Sequence, residues 1–159
     1  MHSCTDTRPT RDMVNMAIAM VVAERGTCLR RRVGCVITDS DGFILATGYN
    51  GVAAGRPHCR EEVRGTHPFA CQAASAPSGT QLDGCEALHA EQNAVIRLAD
   101  PRRAYTTYVT TSPCVSCVKL LLGTGCQRIC FLSEYPHSDA RKWWEGAGRS
   151  WIKLEAPTF

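Results

Sequence analysis

One histidine, one glutamate and two cysteines occur in two short motifs whose side chains together could hold and use a metal ion. The first motif reads His89-x-Glu91, and the second reads Pro113-Cys114-x-x-Cys117. An imidazole and two thiolates suit zinc, and three protein ligands leave the fourth tetrahedral position open to water. Zinc turns such a water into hydroxide near neutral pH, and a nearby carboxylate can carry its protons. We therefore predict a catalytic zinc site, with Glu91 as a proton carrier that does not bind the metal.

The two motifs together are more informative than either one alone. His-x-Glu is common, and a lone histidine or glutamate at a helix start more often caps the helix or faces solvent. Here Pro-Cys-x-x-Cys follows after an apolar run typical of a strand. The combination is typical of zinc-dependent nucleobase deaminases, which predicts a hydrolytic deaminase. The alternative from another class is a non-catalytic, zinc-stabilised binding module, which would have a closed metal site and no use for the glutamate.

The spacing of these residues constrains the elements that carry them. Cys114 and Cys117 are three positions apart, so on a helix their sulfurs share one face, and a helix N-terminus favours thiolates. His89 and Glu91 are two positions apart, and on an ideal helix their side chains would diverge by roughly 200°. Both side chains can lie next to one metal ion only if they project from the end of a helix, with His89 binding the metal and Glu91 on the substrate side. We therefore expect two helix N-termini that converge on the metal.

The surrounding secondary structure is predicted from periodicity and turn signals. Ser112 is the expected N-cap of the helix that carries the two cysteines, because Pro113 follows it. A hairpin is expected first, since two β-branched and aromatic runs flank an Asp-Ser-Asp-Gly turn. Strands that then alternate with helices indicate an α/β fold with a mixed sheet covered on both faces. The predicted helices are 10–24, 88–99, 114–123 and 139–146, and the predicted strands are 33–38, 43–49, 106–111, 128–132 and 151–154.

Length and composition favour a single enzyme domain. The chain has 159 residues, which suits one domain over residues 1–159. A net charge of +3 with 21% charged residues of mixed sign disfavours a protein that tracks along nucleic acid. Residues 1–12 lack the pattern of a signal peptide, and the apolar stretch 13–23 is too short to cross a bilayer. We expect a soluble, cytoplasmic protein of a bacterium or a phage-infected cell, without nucleic-acid or membrane partners.

Ten cysteines require an explanation besides the catalytic motif. In a reducing compartment they indicate metal binding or buried thiols rather than disulfides. Four of them lie in or near an irregular insertion at about residues 52–84, namely Cys28, Cys59, Cys71 and Cys85. Spacing leaves two interpretations open: unrelated buried thiols, or a closed four-thiolate structural zinc that stabilises the insertion. The residues interpreted as ordinary thiols or lower-ranked ligands are Cys4, Cys35, Cys126, Cys130, His58 and His67.

Taken together, these motifs resemble the deoxycytidylate deaminases of bacteria and bacteriophages over nearly the whole chain. The matching runs are residues 28–37, the Gly-Tyr-Asn-Gly tetrad at 48–51, Pro-His-Cys at 57–59, His-Ala-Glu-Gln-Asn-Ala at 89–94, residues 113–117 and Tyr-Pro-His at 135–137. The resemblance implies the three-layer α/β/α cytidine deaminase fold with a mixed sheet of about five strands. It also implies hydrolysis of dCMP to dUMP and ammonia, which supplies thymidylate synthesis.

The resemblance further implies roles for residues outside the metal motifs. Asn50 and Asn93 match positions that look toward the substrate, and Arg30 or Arg32 with Tyr135 would meet the 5′-phosphate. Bacterial relatives with cysteines at the four positions named above bind a second zinc. Family members are often hexamers that dCTP activates and dTTP inhibits through a site near the tetrad, so a homo-oligomer with these effectors is expected.

Two features of this chain depart from the family pattern. Many family members have lysine or serine where this chain has Arg32, and residues 52–84 differ from the insertions of relatives. The neighbouring Arg31 is interpreted as part of a solvated face, as charge runs usually are. A deaminase of dCTP or of a modified cytosine nucleotide remains an alternative, since pocket shape sets that choice. A tRNA adenosine deaminase shares the zinc motifs, but the tetrad and the cysteine-bearing insertion disfavour it.

Overall fold

The computed structural model describes residues 8–59, 71, 73–77, 80–81, 84–136 and 139–158. Three residues that the sequence singled out, Cys4, His67 and His137, lie outside the described residues, as does much of the 52–84 insertion. Within the described part of the chain, no helix combines the length and the apolar character needed to cross a bilayer.

One mixed sheet is built from five strands: β1 (Gly34–Thr38), β2 (Ile44–Tyr49), β3 (Thr106–Thr111), β4 (Arg128–Ser133) and β5 (Ser150–Lys153). Their spatial order is β2-β1-β3-β4-β5. β1 is antiparallel to both β2 and β3, whereas β3, β4 and β5 are parallel to one another. The predicted opening hairpin and the mixed five-stranded sheet are therefore confirmed.

Helices cover both faces of the sheet: α1 (Arg11–Ala23), α2 (Ala90–Ile96), α3 (Val115–Leu122) and α4 (Asp139–Gly146). Successive residues of β1 point to opposite faces, as in any strand. Val36 packs with Met16 and Ala19 of α1, while Cys35 and Ile37 pack in the larger core formed with α2, α3 and α4. All five residues of β1 are buried because both faces are covered. The three-layer α/β/α expectation is thus confirmed.

The two helices that begin at the metal motifs differ from their predicted bounds. The helix expected over 88–99 is shorter, because His89 has extended backbone with φ −71° and ψ 159° and stands before the helix as its N-cap. The far end stops at Ile96, and Pro101 downstream disfavours helical backbone in the residue before it. The expected N-cap Ser112 is wrong: Cys114 takes that position, and α3 begins at Val115.

A close approach between α2 and β2 sets the position of the catalytic motif. A Cβ atom on Gly48 would lie 2.2 Å from the carbonyl oxygen of Ala90 and 2.5 Å from the amide nitrogen of Ala94. Only a residue without a side chain therefore lets the first turn of α2 rest directly on β2. That first turn contains Glu91 and is preceded by His89.

Candidate metal centre and substrate cleft

Three ligand-type side chains meet where α2 and α3 begin. His89 and Cys114 are the N-caps of the two helices, and Cys117 is the third residue of α3. The His89 Nδ1 atom is 3.4 Å from the Cys114 sulfur and 3.3 Å from the Cys117 sulfur. The extended backbone of His89 turns its imidazole away from the direction that an ideal helix would impose, so the predicted convergence of two helix starts is present.

The donor set and its spacing fit zinc. Zinc–sulfur and zinc–nitrogen bonds of about 2.3 and 2.1 Å at a tetrahedral angle place nitrogen and sulfur about 3.6 Å apart. The two observed nitrogen–sulfur distances are within a few tenths of an ångström of that value. All three donor atoms lie within 4.8 Å of one another, and no other group of three metal-ligating side chains among the described residues comes this close.

A contact between the two thiols shifts their pKa values in opposite directions. The pKa of Cys114 is lowered to about 3, chiefly because the Cys117 thiol donates a hydrogen bond to its sulfur, with further hydrogen bonds from His89 and Ser116 outweighing the opposing effect of burial. The same sulfur–sulfur contact raises the pKa of Cys117. The group therefore presents one thiolate ready to bind a cation, and a bound metal would ionise the second.

Glu91 lies beside this group but is not part of it. It is the second residue of α2, and only 3% of its surface is exposed. Burial raises the pKa of its carboxyl to about 7, although His89 and backbone hydrogen bonding act in the opposite direction. A carboxyl with such a pKa can both accept and donate a proton near neutral pH. The arrangement suits a general acid–base group next to a metal-bound reactant.

An open cleft lies above the metal ligands and Glu91. Its polar wall comes from four parts of the chain: the irregular segment before β1, the residue after β2, the end of β3, and the segment that follows β4. The polar residues on this wall are Arg30, Arg31, Asn50, Thr111, Ser112 and Tyr135. The cleft therefore brings His89, Cys114 and the carboxyl of Glu91 together with two guanidinium groups.

The structure places the predicted substrate residues in two groups. Arg30, Asn50 and Tyr135 line the cleft, as expected. Arg32 instead faces away from it and pairs with Glu24 at 2.9 Å on the surface. Asn93 lies in a separate pocket beside the tetrad, where its amide nitrogen donates to the Tyr49 carbonyl at 2.9 Å.

Arg31 is a charged cleft residue that sequence reasoning missed, as it missed Thr111 and Ser112. It lines the cleft, and its guanidinium group reaches 3.5 Å from the Thr111 hydroxyl, whereas the charge run suggested a solvated face. Residues 24–33 form neither helix nor strand, so no periodicity assigns these arginines to a face. The available signal was adjacency to Arg30 alone, which could not separate Arg31 from Arg32.

Asn50 holds the arginine segment in place as well as facing the cleft. Its side-chain nitrogen donates to the Arg31 carbonyl at 2.7 Å, and its side-chain oxygen accepts from the Val33 amide at 2.8 Å. Arg30 is held from the other side, because its guanidinium group donates to the carbonyls of Pro77 and Thr80 at 3.2 and 2.9 Å. The segment that carries Arg30 and Arg31 is thus held both by the residue after β2 and by the insertion.

The four remaining candidate cysteines are neighbours. Cys59 and Cys71 are buried in one small apolar cluster, and Cys85 packs against it. The pKa of Cys59 is raised to about 12, first by burial and then by its proximity to Cys71, Cys85 and Cys28. No three of these sulfurs lie within 4.8 Å of one another. Cys28 and Cys85 also line the catalytic cleft, so this cluster adjoins the site.

Comparison with protein families and curated proteins agrees with the site. The family described as the cytidine and deoxycytidylate deaminase zinc-binding region matches residues 9–133, which include all three ligands and Glu91. A deoxycytidylate deaminase of Schizosaccharomyces pombe is 35% identical over 130 residues, covering 80% of this chain and 38% of that protein. The chain therefore spans less than two fifths of the length of this yeast relative.

Two further relatives are similar to the chain over nearly their whole length. A deoxycytidylate deaminase of Mycobacterium phage D29 is 33% identical over 131 residues, which cover 80% of this chain and 98% of the phage protein. Among solved structures, a dCMP deaminase from the cyanophage S-TIM5 in complex with dCMP and dUMP aligns with a TM-score of 0.70 and 25% identity. That alignment covers 92% of this chain and 98% of the cyanophage chain.

Proposed function

The chain belongs to the cytidine and deoxycytidylate deaminase family, and from that premise we propose that it hydrolyses dCMP to dUMP and ammonia. The observation that carries the proposal is the group of His89, Cys114 and Cys117 next to the buried carboxyl of Glu91, beside an open cleft. The phage relatives named for dCMP, which match along nearly their whole length, support this substrate.

Each residue of the catalytic group has a proposed role. His89, Cys114 and Cys117 would hold zinc, and Glu91 would not bind it. When bound, zinc supplies a water of lowered pKa as the nucleophile. Glu91 would accept one proton from the attacking water and deliver it to the ring nitrogen. It would then accept the second proton, from the hydroxyl now bonded to the ring carbon, and deliver it to the amino group, which leaves as ammonia when the carbon–nitrogen bond breaks. Its burial supports this role, because a carboxyl with a pKa of about 7 exchanges protons readily near neutral pH.

The cleft wall supports recognition of a nucleotide monophosphate. We assign the 5′-phosphate to Arg30 and Arg31, because both line the cleft and Arg32 does not. Guanidinium groups bind phosphate oxygens through charge-assisted hydrogen bonds. Tyr135 and Asn50 complete the wall. The assignments of Arg32 and Asn93 to the substrate rest on the family resemblance alone.

A second zinc and effector control complete the proposal. Cys28, Cys59, Cys71 and Cys85 would hold a structural zinc, which the four matching family positions support, and the four sulfurs would have to draw closer together to bind it. The pocket beside the tetrad, which includes Arg97, is the proposed site of dCTP and dTTP. The active form would be a homo-oligomer, as in many family members.

The decisive experiment compares the purified wild type with Glu91→Gln. Turnover of dCMP, CMP, dCTP and deoxycytidine is followed by absorbance, each with and without dCTP or dTTP as effector, and zinc per chain is counted. The wild type should prefer dCMP and carry two zincs. Glu91→Gln should keep both zincs and lose turnover by a factor of about 100 or more, because general acid–base groups contribute at least that much.

Other outcomes would reject separate parts of the proposal. Turnover of dCTP but not of dCMP by the wild type would change the substrate to the triphosphate. One zinc per chain would remove the second metal site while leaving the catalytic one. Normal deamination by Glu91→Gln would show that another group carries the protons.

A further inference from the structure

The ends of β3 and β4 are joined by an unusual hydrogen bond from a backbone amide to a side chain. These strands are parallel, and their ladder continues one step beyond β3, where the Ser112 amide donates to the Ser133 carbonyl at 2.8 Å. In a continued parallel ladder the next amide, that of Tyr135, would donate to the Ser112 carbonyl. It donates instead to the Ser112 hydroxyl oxygen at 2.7 Å.

The local sequence explains this substitution. Pro113 follows Ser112 and has no amide hydrogen, so it cannot donate to a sheet, and the chain here leaves the sheet for the metal loop that starts α3. The Ser112 hydroxyl then accepts a hydrogen bond from the Tyr135 amide, which has no backbone partner in the sheet. Ser112 is buried, with only 5% of the residue exposed. One hydroxyl therefore links the segment before the metal ligands to the segment after β4.

Both partners of this bond line the cleft. Burial raises the pKa of Tyr135, Cys114 raises it further, and Arg30 and Arg31 act in the opposite direction. Each of these groups is close enough to the phenol to influence its charge. Tyr135 thus lines the same cleft as the metal ligands His89 and Cys114 and the two arginines.

We propose that Ser112 is a positioning residue for the substrate: its hydroxyl holds the backbone of Tyr135 so that the tyrosine ring stays against the cleft. The inference rests on the proposed function, because Tyr135 acts on a nucleotide only if the cleft binds one. Ser112 acts through Tyr135, and its loss should weaken nucleotide binding more than it slows the chemical step.

The chain offers a matched control one strand away. The Ser133 hydroxyl lies at the same end of the sheet and bonds to the Thr111 hydroxyl at 3.1 Å and the Thr110 carbonyl at 3.2 Å. It does not touch the Tyr135 amide and does not line the cleft. Ser133→Ala therefore removes a hydroxyl near the site without releasing Tyr135.

The test measures dCMP binding by titration calorimetry in the zinc-loaded protein carrying Glu91→Gln, and KM and kcat in the otherwise wild-type enzyme. Ser112→Ala should raise both Kd and KM about tenfold, the equivalent of one lost hydrogen bond, with a smaller change in kcat. Ser112→Thr should restore binding, and Ser112→Cys, a weaker acceptor, should lie between them. Ser133→Ala should bind dCMP like its parent.

A double-mutant cycle shows whether Ser112 acts through the tyrosine. Tyr135→Ala combined with Ser112→Ala should bind dCMP no more weakly than Tyr135→Ala alone. Additive losses, unchanged binding in Ser112→Ala, or loss of zinc from that variant would each overturn the inference. If the wild type deaminates dCMP and only the Ser112 result fails, the proposed function stands; a wild type that neither binds nor deaminates dCMP rejects both.

Discussion

Arg31 lines the cleft, whereas its neighbour Arg32 lies on the surface outside it. Substituting each of them should therefore have different effects on dCMP turnover. Arg31→Gln should raise KM for dCMP by about 10- to 100-fold, because a charge-assisted hydrogen bond to phosphate contributes roughly 1.5–3 kcal/mol. Arg32→Gln should have little effect, since it breaks a surface pair with Glu24 in which both side chains are at least 40% exposed. Steady-state kinetics with dCMP distinguishes the two variants.

Deoxycytidine provides the internal control for this prediction. It lacks the phosphate, so Arg31→Gln should deaminate deoxycytidine as efficiently as the wild type does. An equal loss on both substrates would mean that Arg31 shapes the cleft instead of binding phosphate.

At the scale of residues, the proposed metal ligands could be predicted from the sequence, whereas the arginines of the cleft could be predicted only in part. Imidazole, thiolates and a free carboxylate in two spaced motifs leave few chemical alternatives, so His89, Cys114 and Cys117 could be named from the sequence. Arg31 could not be assigned, because its segment has no regular backbone that would fix which way consecutive side chains point. The chemistry of a metal site identifies the residue types that must be present. In a segment without regular structure, the sequence does not show which way each side chain points.

At the scale of elements, the contact of α2 with β2 should be sensitive to one added methyl group. Gly48→Ala would place a carbon 2.2 Å from the Ala90 carbonyl, so the helix must move. We expect a loss of about 1–3 kcal/mol in the free energy of unfolding, as for other overpacked sites. Turnover should fall as well, because His89 and Glu91 move with the helix start.

Urea unfolding and kcat measured on the same preparations check this prediction. Gly146→Ala is the matched control: it lies at the end of α4, and nothing stands within 4 Å of an added Cβ. It should be neutral or slightly stabilising. A Gly48→Ala enzyme with normal stability and turnover would show that α2 is not held by this contact.

The elements themselves were predicted well, and their ends less well. Periodicity and turn residues located all nine helices and strands named above, but α2 was drawn too long and α3 was given the wrong N-cap. The apolar spacing that predicts a helix continues past the residue where the helix begins. It therefore does not show that His89 has extended backbone and stands before α2. The observed cap is a local capping box, in which the Gln92 side chain accepts a hydrogen bond from the His89 amide at 2.7 Å, and apolar periodicity does not detect such a contact.

At the scale of the whole molecule, one ionic network links α1 to strands β3 and β4. Asp12 in the first turn of α1 accepts from the Tyr108 hydroxyl at 2.6 Å and from the Arg128 guanidinium group at 2.9 Å. Burial alone would raise the pKa of Asp12, but these hydrogen bonds and the charge of Arg128 outweigh it, and the pKa is lowered. Sequence could not predict this network, because its members are about a hundred positions apart.

The network should make folding stability depend on acid pH. A carboxyl whose pKa is lower in the folded than in the unfolded chain stabilises the fold above its unfolded pKa of about 3.9. That stabilisation is lost as the pH falls through the folded pKa. Asp12→Asn should therefore cost about 1–2 kcal/mol at pH 7, allowing for partial exposure, and the cost should shrink toward pH 3.

Chemical unfolding of both proteins between pH 3 and pH 7 measures this difference. Glu24→Gln is the control, since it removes a carboxylate from an exposed surface pair. A cost for Asp12→Asn that stays constant across this range would mean that the aspartate acts by packing and not by its charge.

The cleft combines two kinds of support. The groups that would carry out the reaction stand at the starts of helices packed on the sheet, whereas the arginines stand on a segment without regular structure, fastened by Asn50 and by residues 77 and 80. Substitutions in that segment would change which nucleotide is accepted without disturbing the hydrolytic machinery. Evolution, or a laboratory selection for new substrates, would then be expected to change the segment that carries the arginines and to leave the two helix starts unchanged.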